Sequence, residues 1–261
     1  MVQLDIPTAW LANYGLLLLR TSALVLFVPL PGARQTLQAT KVALALMLGF
    51  VLAPSATVDP GVGAITSPAT AWLLAEAVLA EVALGASLGV AYRLVIESFS
   101  LAAQILGFQA GYSYVNMVDP TSQVDASILN VVFGLLASLL FFAFDLHLFV
   151  IRALAESLGH WPLGTFAHHP ADAQAMVRLG GHMIVTATRL ALPVMAVLLL
   201  IDLTLGLLNQ VHNRMQLLTL AFPAKIVAAV AVIPAVLLLS PRLFHSLSER
   251  AGEFVIALIS R

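Results

Sequence analysis

The chain has 261 residues, 61% of them hydrophobic and 10% charged, where an ordinary soluble domain carries about 25% charge. A net charge of −1, with its 12 basic residues scattered, excludes the basic patch that nucleic acid requires, and zero cysteines exclude disulfides, thiolate metal sites and cysteine nucleophiles. This is the composition of a membrane protein, and at about 20 residues per crossing the length accommodates about seven spans and no separate soluble catalytic domain.

From Met1 to Trp10 there is one charge, Asp5, and no Lys or Arg, so the basic n-region of a cleavable signal peptide is missing and the first apolar run is expected to stay as a span. Apolar runs follow at Trp10 to Leu30, Val42 to Val58, Ala71 to Ala91, Leu94 to Tyr114, Ile128 to Ile151, Ile184 to Leu208 and Ile226 to Leu239. They predict seven helical segments, the fourth and last being the weakest. Turn residues separate them: Pro29 and Pro31-Gly32, Pro54 through Pro68 with Gly61 and Gly63, Asp119-Pro120, Pro162 through Pro170, and Pro241. The expected architecture is an all-α polytopic membrane protein, a single domain over 1–261, without internal repeat or low-complexity tract.

Short cytoplasmic loops are enriched in Lys and Arg. An outside N-terminus places Arg34, Lys41, Arg93, Arg152, Arg178, Arg242, Arg250 and Arg261 inside, and only Arg214 and Lys225 outside. The stretch Asn209 to Lys225 is thus the exception to an otherwise consistent bias.

An ionisable group at mid-span costs about 2.5 to 3.5 kcal/mol on insertion scales, so each needs a partner or a wet cavity. Arg20, Glu76, Glu81, Asp145, Arg189 and Asp202 fall in or beside apolar runs. Two readings stand: a proton or ion relay, or pairing with other helices, partner subunits or the interface. Helical spacing favours no relay, since Arg189 and Asp202, like Glu76 and Glu81, lie about 140° apart around a helix. His168-His169 with Asp172 is the densest metal-like group, but its spacing fits no zinc signature and a solvated loop is the better reading. No nucleophile elbow, zincin or nucleotide motif occurs, so neither enzyme, cofactor nor metal is expected.

Gly85 with Gly89, and Gly107 with Gly111, are small residues four apart that let helix backbones approach closely. From Gly107 to Asp125 the chain reads GFQAGYSYVNMVDPTSQVD, too polar for a lipid-facing span and too apolar for an ordinary loop. Irregular backbone at membrane depth is tolerated where protein buries it or where it lines a water-filled path; the alternative is a helix end followed by an external loop. A second such stretch, Asn209 to Ile226, contains Pro223, which is expected to break the chain at Phe222 before Lys225, an interfacial anchor, opens the last apolar run.

These stretches, in this order, resemble the FliR family of type III secretion export-apparatus proteins. Gly107-Phe108-Gln109-Ala110-Gly111 and Val118-Asp119-Pro120-Thr121-Ser122 are similar to the family's glycine-glutamine-glycine and Asp-Pro motifs. Leu205-Gly206-Leu207-Leu208-Asn209, Phe222-Pro223 with Lys225-Ile226, Ala191-Leu192-Pro193 and Gly180-Gly181 also match, and the likeness runs along essentially the whole chain. Gln210-Val211-His212-Asn213-Arg214 departs from the family's Arg-x-Ala-Pro-Gln, and Arg20 and the acids within the spans inherit no role.

The resemblance implies one subunit of a flagellar export gate in the bacterial inner membrane at the basal body. Its implied partners are FliP-like and FliQ-like membrane subunits, a FliB-class export switch protein, the large export-gate subunit and unfolded protein substrates. In such assemblies the helices are raised from the membrane plane, which would account for the charge exception. Gly107 to Asp125 would be the plug: Phe108, Tyr112, Tyr114 and Met117 supply deformable apolar filling, Gly107 and Gly111 permit rearrangement, and Gln109, Asp119 and Pro120 complete the motif. The alternatives are a virulence injectisome counterpart, which the Asp-Pro motif disfavours, and a proton-coupled secondary transporter using Glu76, Glu81, Asp145 or Asp202.

Overall fold

A computed structural model describes residues 8–28, 38–56, 68–110, 128–167, 169–211 and 217–260. Among them are seven α-helices and no strand: α1 Thr8–Phe27, α2 Gln38–Leu52, α3 Pro68–Gln109, α4 Ile128–Ala143, α5 Leu146–His160, α6 Pro170–Val211 and α7 Leu217–Ile259, with a 3-10 turn at Ala53–Ser55 after α2. Four apolar stretches are long enough to cross a membrane, Gln38–Ser55, Trp72–Gln109, Pro170–Leu208 and Pro223–Ile259, and the α4–α5 pair makes a fifth if taken as one broken span. The fold is all-α and polytopic, as the composition requires.

The helix boundaries differ from those expected at three places. The third and fourth apolar runs are one helix, α3, of 42 residues. Tyr92 and Arg93 bring polarity but neither glycine nor proline, so nothing there stops a helix, and the loop that was to place Arg93 inside does not exist. The fifth run, conversely, is two helices. The chain turns at Phe144-Asp145, where Asp145 takes left-handed φ 54° and ψ 26°, a conformation that Asp tolerates better than most residues. Its carbonyl accepts the amides of Leu148 and Phe149 at 3.0 and 3.2 Å, which starts α5.

The third difference concerns proline. Pro193, Pro223, Pro234 and Pro241 all lie inside helices. Proline removes the hydrogen bond to the carbonyl four residues back, but apolar helices tolerate this when another donor serves that carbonyl. At Pro241 the freed carbonyl is that of Leu237, and the Ser240 hydroxyl donates to it at 2.9 Å. Pro241 is therefore not a helix end. Of the His168-His169 group, His168 lies outside the described residues, and His169 likewise marks a helix start: the Asp172 carboxylate accepts the His169 amide at 3.1 Å, and His169 Nδ1 accepts the amide of Ala171 at 3.3 Å. With Pro170 opening α6, this is N-terminal capping chemistry.

The chain forms two compact units, one of residues 1–94, 141–180 and 248–261, the other of 95–140 and 181–247. In the first, Leu16, Leu17, Ala77, Leu158 and Leu163 make a buried cluster, and the Tyr92 and Phe149 rings pack 5.9 Å apart. In the second, the Phe99 and Phe244 rings meet edge-on at 5.6 Å, with Ala102, Ala103 and Ala187 fully buried.

Candidate functional site

In the first unit, α3 lies with its Gly85 and Gly89 directly on the backbone of α1. A Cβ placed on Gly85 would collide with the Arg20 carbonyl oxygen, and one on Gly89 would come within 2.8 Å of both the Leu24 carbonyl oxygen and the Phe27 Cβ. Only glycine allows this approach. The spacing of Gly85 and Gly89 is therefore a helix-packing device; at Gly49 of α2 a Cβ would come within 2.8 Å of Leu18 Cδ2, the movable end of a side chain, a less demanding contact.

Close packing at Gly85 carries Arg20 of α1 toward Glu81 one turn earlier on α3. Both side chains are fully buried, with Arg20 Nε donating to Glu81 Oε2 at 2.5 Å and Nη2 to Oε1 at 2.9 Å. The guanidinium's other protons go to the Ser157 carbonyl and hydroxyl, each at 3.2 Å, and to the Trp161 carbonyl at 3.1 Å. The Gly164 amide donates to Glu81 Oε1 at 2.7 Å, and the Trp161 indole donates to the Leu258 carbonyl at 3.2 Å. One node thus ties α1, α3, the end of α5, the loop after it and the end of α7. The planar fork of Arg20 is saturated with acceptors, so the node holds helices together. No local sequence pattern announces Ser157, Trp161 or Gly164, whose partners lie 137, 141 and 83 residues away.

In the second unit, Asp202 of α6 and Lys225 of α7 form an ion pair at 2.5 Å. Two of the intramembrane acids, Glu81 and Asp202, are therefore neutralised within the chain, as the pairing reading anticipated. Glu76, Asp145 and Arg189 are exposed on the chain.

Of the proposed plug, Gly107, Phe108 and Gln109 are the last turn of α3 and not part of a loop. Gly107 is buried, Gln109 half-buried and Phe108 75% exposed. The Ala110 amide still bonds to the Leu106 carbonyl at 2.8 Å, so helical hydrogen bonding reaches Ala110. Gly111, Tyr112, Tyr114, Met117, Asp119, Pro120 and the rest to Asp125 lie outside the described residues. The second stretch is also mostly helical. Asn209 belongs to α6, and Phe222, Pro223 and Lys225 to α7. Only 212–216 lies outside the described residues. The expected break at Phe222 does not occur, since Pro223 falls in the second turn of α7 and removes a single bond; Lys225 meets Asp202.

Described residues that are helical and of spanning length, held by glycine contacts and satisfied ion pairs, define a polytopic membrane protein. The sequence profile of bacterial export proteins, family 1, matches residues 11–251, and the chain belongs to that family. It is 30% identical over 242 residues to the flagellar biosynthetic protein FliR of Escherichia coli K12, covering 92% of this chain and 90% of that protein. It is 28% identical to that of Pectobacterium carotovorum, again over 92% and 90%. A more distant relative of the same name, from Bacillus subtilis 168, is 22% identical over 94% of each chain.

Proposed function

We propose that the chain is a FliR-type subunit of the flagellar type III export apparatus in the bacterial inner membrane, acting as one unit over 1–261 and helping to form and close the path for unfolded flagellar proteins. The observation that carries this is the family match along nearly the whole chain, together with relatives named for flagellar biosynthesis at up to 30% identity over 92% of its length. The ion pairs at Glu81 and Asp202 support reading these acids as packing partners within the chain, which favours the export reading over a transporter.

The finer assignment is that α3 presents the plug. Exposed Phe108 at the end of α3 begins a run, through Tyr112, Tyr114 and Met117 to Asp119-Pro120, whose bulky apolar side chains suit a constriction that excludes water and ions when closed. FliP-like and FliQ-like subunits complete the channel, and energy comes from elsewhere in the apparatus. The test is permeability. In an assembled complex, deletion of 107–125 is expected to leak ions or small solutes across the inner membrane, and unchanged permeability would remove the plug assignment. Neutralising Glu76 and Asp145, which belong to neither of those two ion pairs, should abolish transport only if the acids form a relay.

A further inference from the structure

Arg189 stands within the apolar stretch Pro170–Leu208, which is long enough to cross a membrane. It is exposed, and among the described residues it has no hydrogen bond or ion pair. The nearest Asp, Glu, Lys or Arg along α6 are Arg178 and Asp202, about 17 and 20 Å away along the axis. Between Val185 and Leu203, the exposed residues within about 60° of Arg189 around the helix are Val185, Leu192, Ala196, Leu200 and Leu203. The four large ones are 46 to 61% exposed. The neighbouring Thr188 hydroxyl is already committed to the Ile184 carbonyl at 2.9 Å. The backbone leaves a second polar group open at the same level. Pro193, four residues on, brings no amide to the Arg189 carbonyl. At Pro241 the Ser240 hydroxyl serves the freed carbonyl, whereas no side chain among the described residues serves this one.

We propose that this side of α6, from Val185 to Leu203, seats an apolar helix of another membrane subunit, and that this helix carries an Asp or Glu facing Arg189. The proposal rests on the export reading above and adds the chemistry of the neighbour. Lipid would suit the leucines but leave the guanidinium bare at membrane depth. A water-filled path would suit the guanidinium but wet the apolar side chains on both sides of it. A helix with one carboxylate answers both, because its apolar side covers the leucines while the planar guanidinium takes a carboxylate in two parallel hydrogen bonds. The stripe also has the right length. Val185 and Leu203 lie about 27 Å apart along α6, close to the run over which a spanning helix of about 20 residues can pack. Helical form satisfies the partner's own backbone, as membrane depth requires.

The first test leaves Arg189 in place. A photo-crosslinking amino acid replaces Leu192 or Ala196, singly, in the full chain, and membranes carrying the assembled complex are irradiated. The joined segment is then identified by mass spectrometry. Both positions should join the chain to one apolar segment of another subunit, and that segment should contain an Asp or Glu. Products with lipid only, with a second copy of this chain or with a segment that has no acid overturn the proposal, as does the absence of any protein product. A charge exchange then reads the pairing itself. Arg189→Glu should abolish export, Arg189→Lys should keep most of it, and Arg189→Glu combined with arginine in place of the identified acid should restore it. Failure of the exchange to exceed Arg189→Glu alone overturns the pairing. Undiminished export in cells lacking the chain would instead overturn the export reading, while a crosslinked contact with an acid-bearing helix would still stand.

Discussion

At the scale of single residues, the structure depends on absent side chains as much as on present ones. Gly85→Ala adds one methyl where the Arg20 carbonyl already stands, and overpacking of this kind costs about 1–3 kcal/mol. Gly180→Ala has open space and should gain about 0.5–1 kcal/mol from helix propensity alone. Thermal unfolding of the purified assembly should therefore move in opposite directions for the same substitution. Arg20 supplies the complementary case. Arg20→Met strands a buried carboxylate and should cost about 3–5 kcal/mol, while Arg20→Met with Glu81→Leu should recover most of it, because a buried ion pair is often replaceable as a pair but not singly. Equal losses from the single and double variants would show that the node contributes something beyond mutual neutralisation.

At the scale of elements, the sequence disclosed helices well and their ends poorly. Length of apolar run identified each helical region, because that signal sums over many residues. Ends depend on single residues whose effect is decided by neighbours. Pro241 reads as a stop, yet the Ser240 hydroxyl serves the carbonyl it frees. Arg93 reads as a loop residue, yet without a breaker beside it α3 continues for 42 residues. Asp145 reads as a costly charge, yet its left-handed backbone divides α4 from α5. The packing role of Gly85 and Gly89 was legible because both sit on one helix face, whereas the partner of Arg20 was not, being 61 residues away. The motif at Gly107 was legible as a motif, but its first three residues are helical. The continuity of α3 is open to measurement: spin labels on cysteines introduced at exposed Leu79 and Gln104 should lie about 37 Å apart along an unbroken helix at 1.5 Å per residue. A hairpin turn at Arg93 would bring them far closer.

At the scale of the whole molecule, 61% hydrophobic composition describes contact with protein as well as with lipid. Among the described residues four or five stretches are able to cross a bilayer, fewer than the seven helices there, so the count of helices is not a count of crossings. Large apolar side chains remain exposed, among them Met47, Phe50 and Trp72 at 69 to 75%, and in a chain of an export family such surface is available to other subunits. Native mass measurement of the complex drawn from membranes should accordingly find this chain with several copies of smaller hydrophobic proteins. The export claim itself is tested most directly by secretion. A strain lacking this chain should release no flagellar filament or hook protein into the medium, and the restored chain should bring release back; undiminished secretion in its absence would contradict the account.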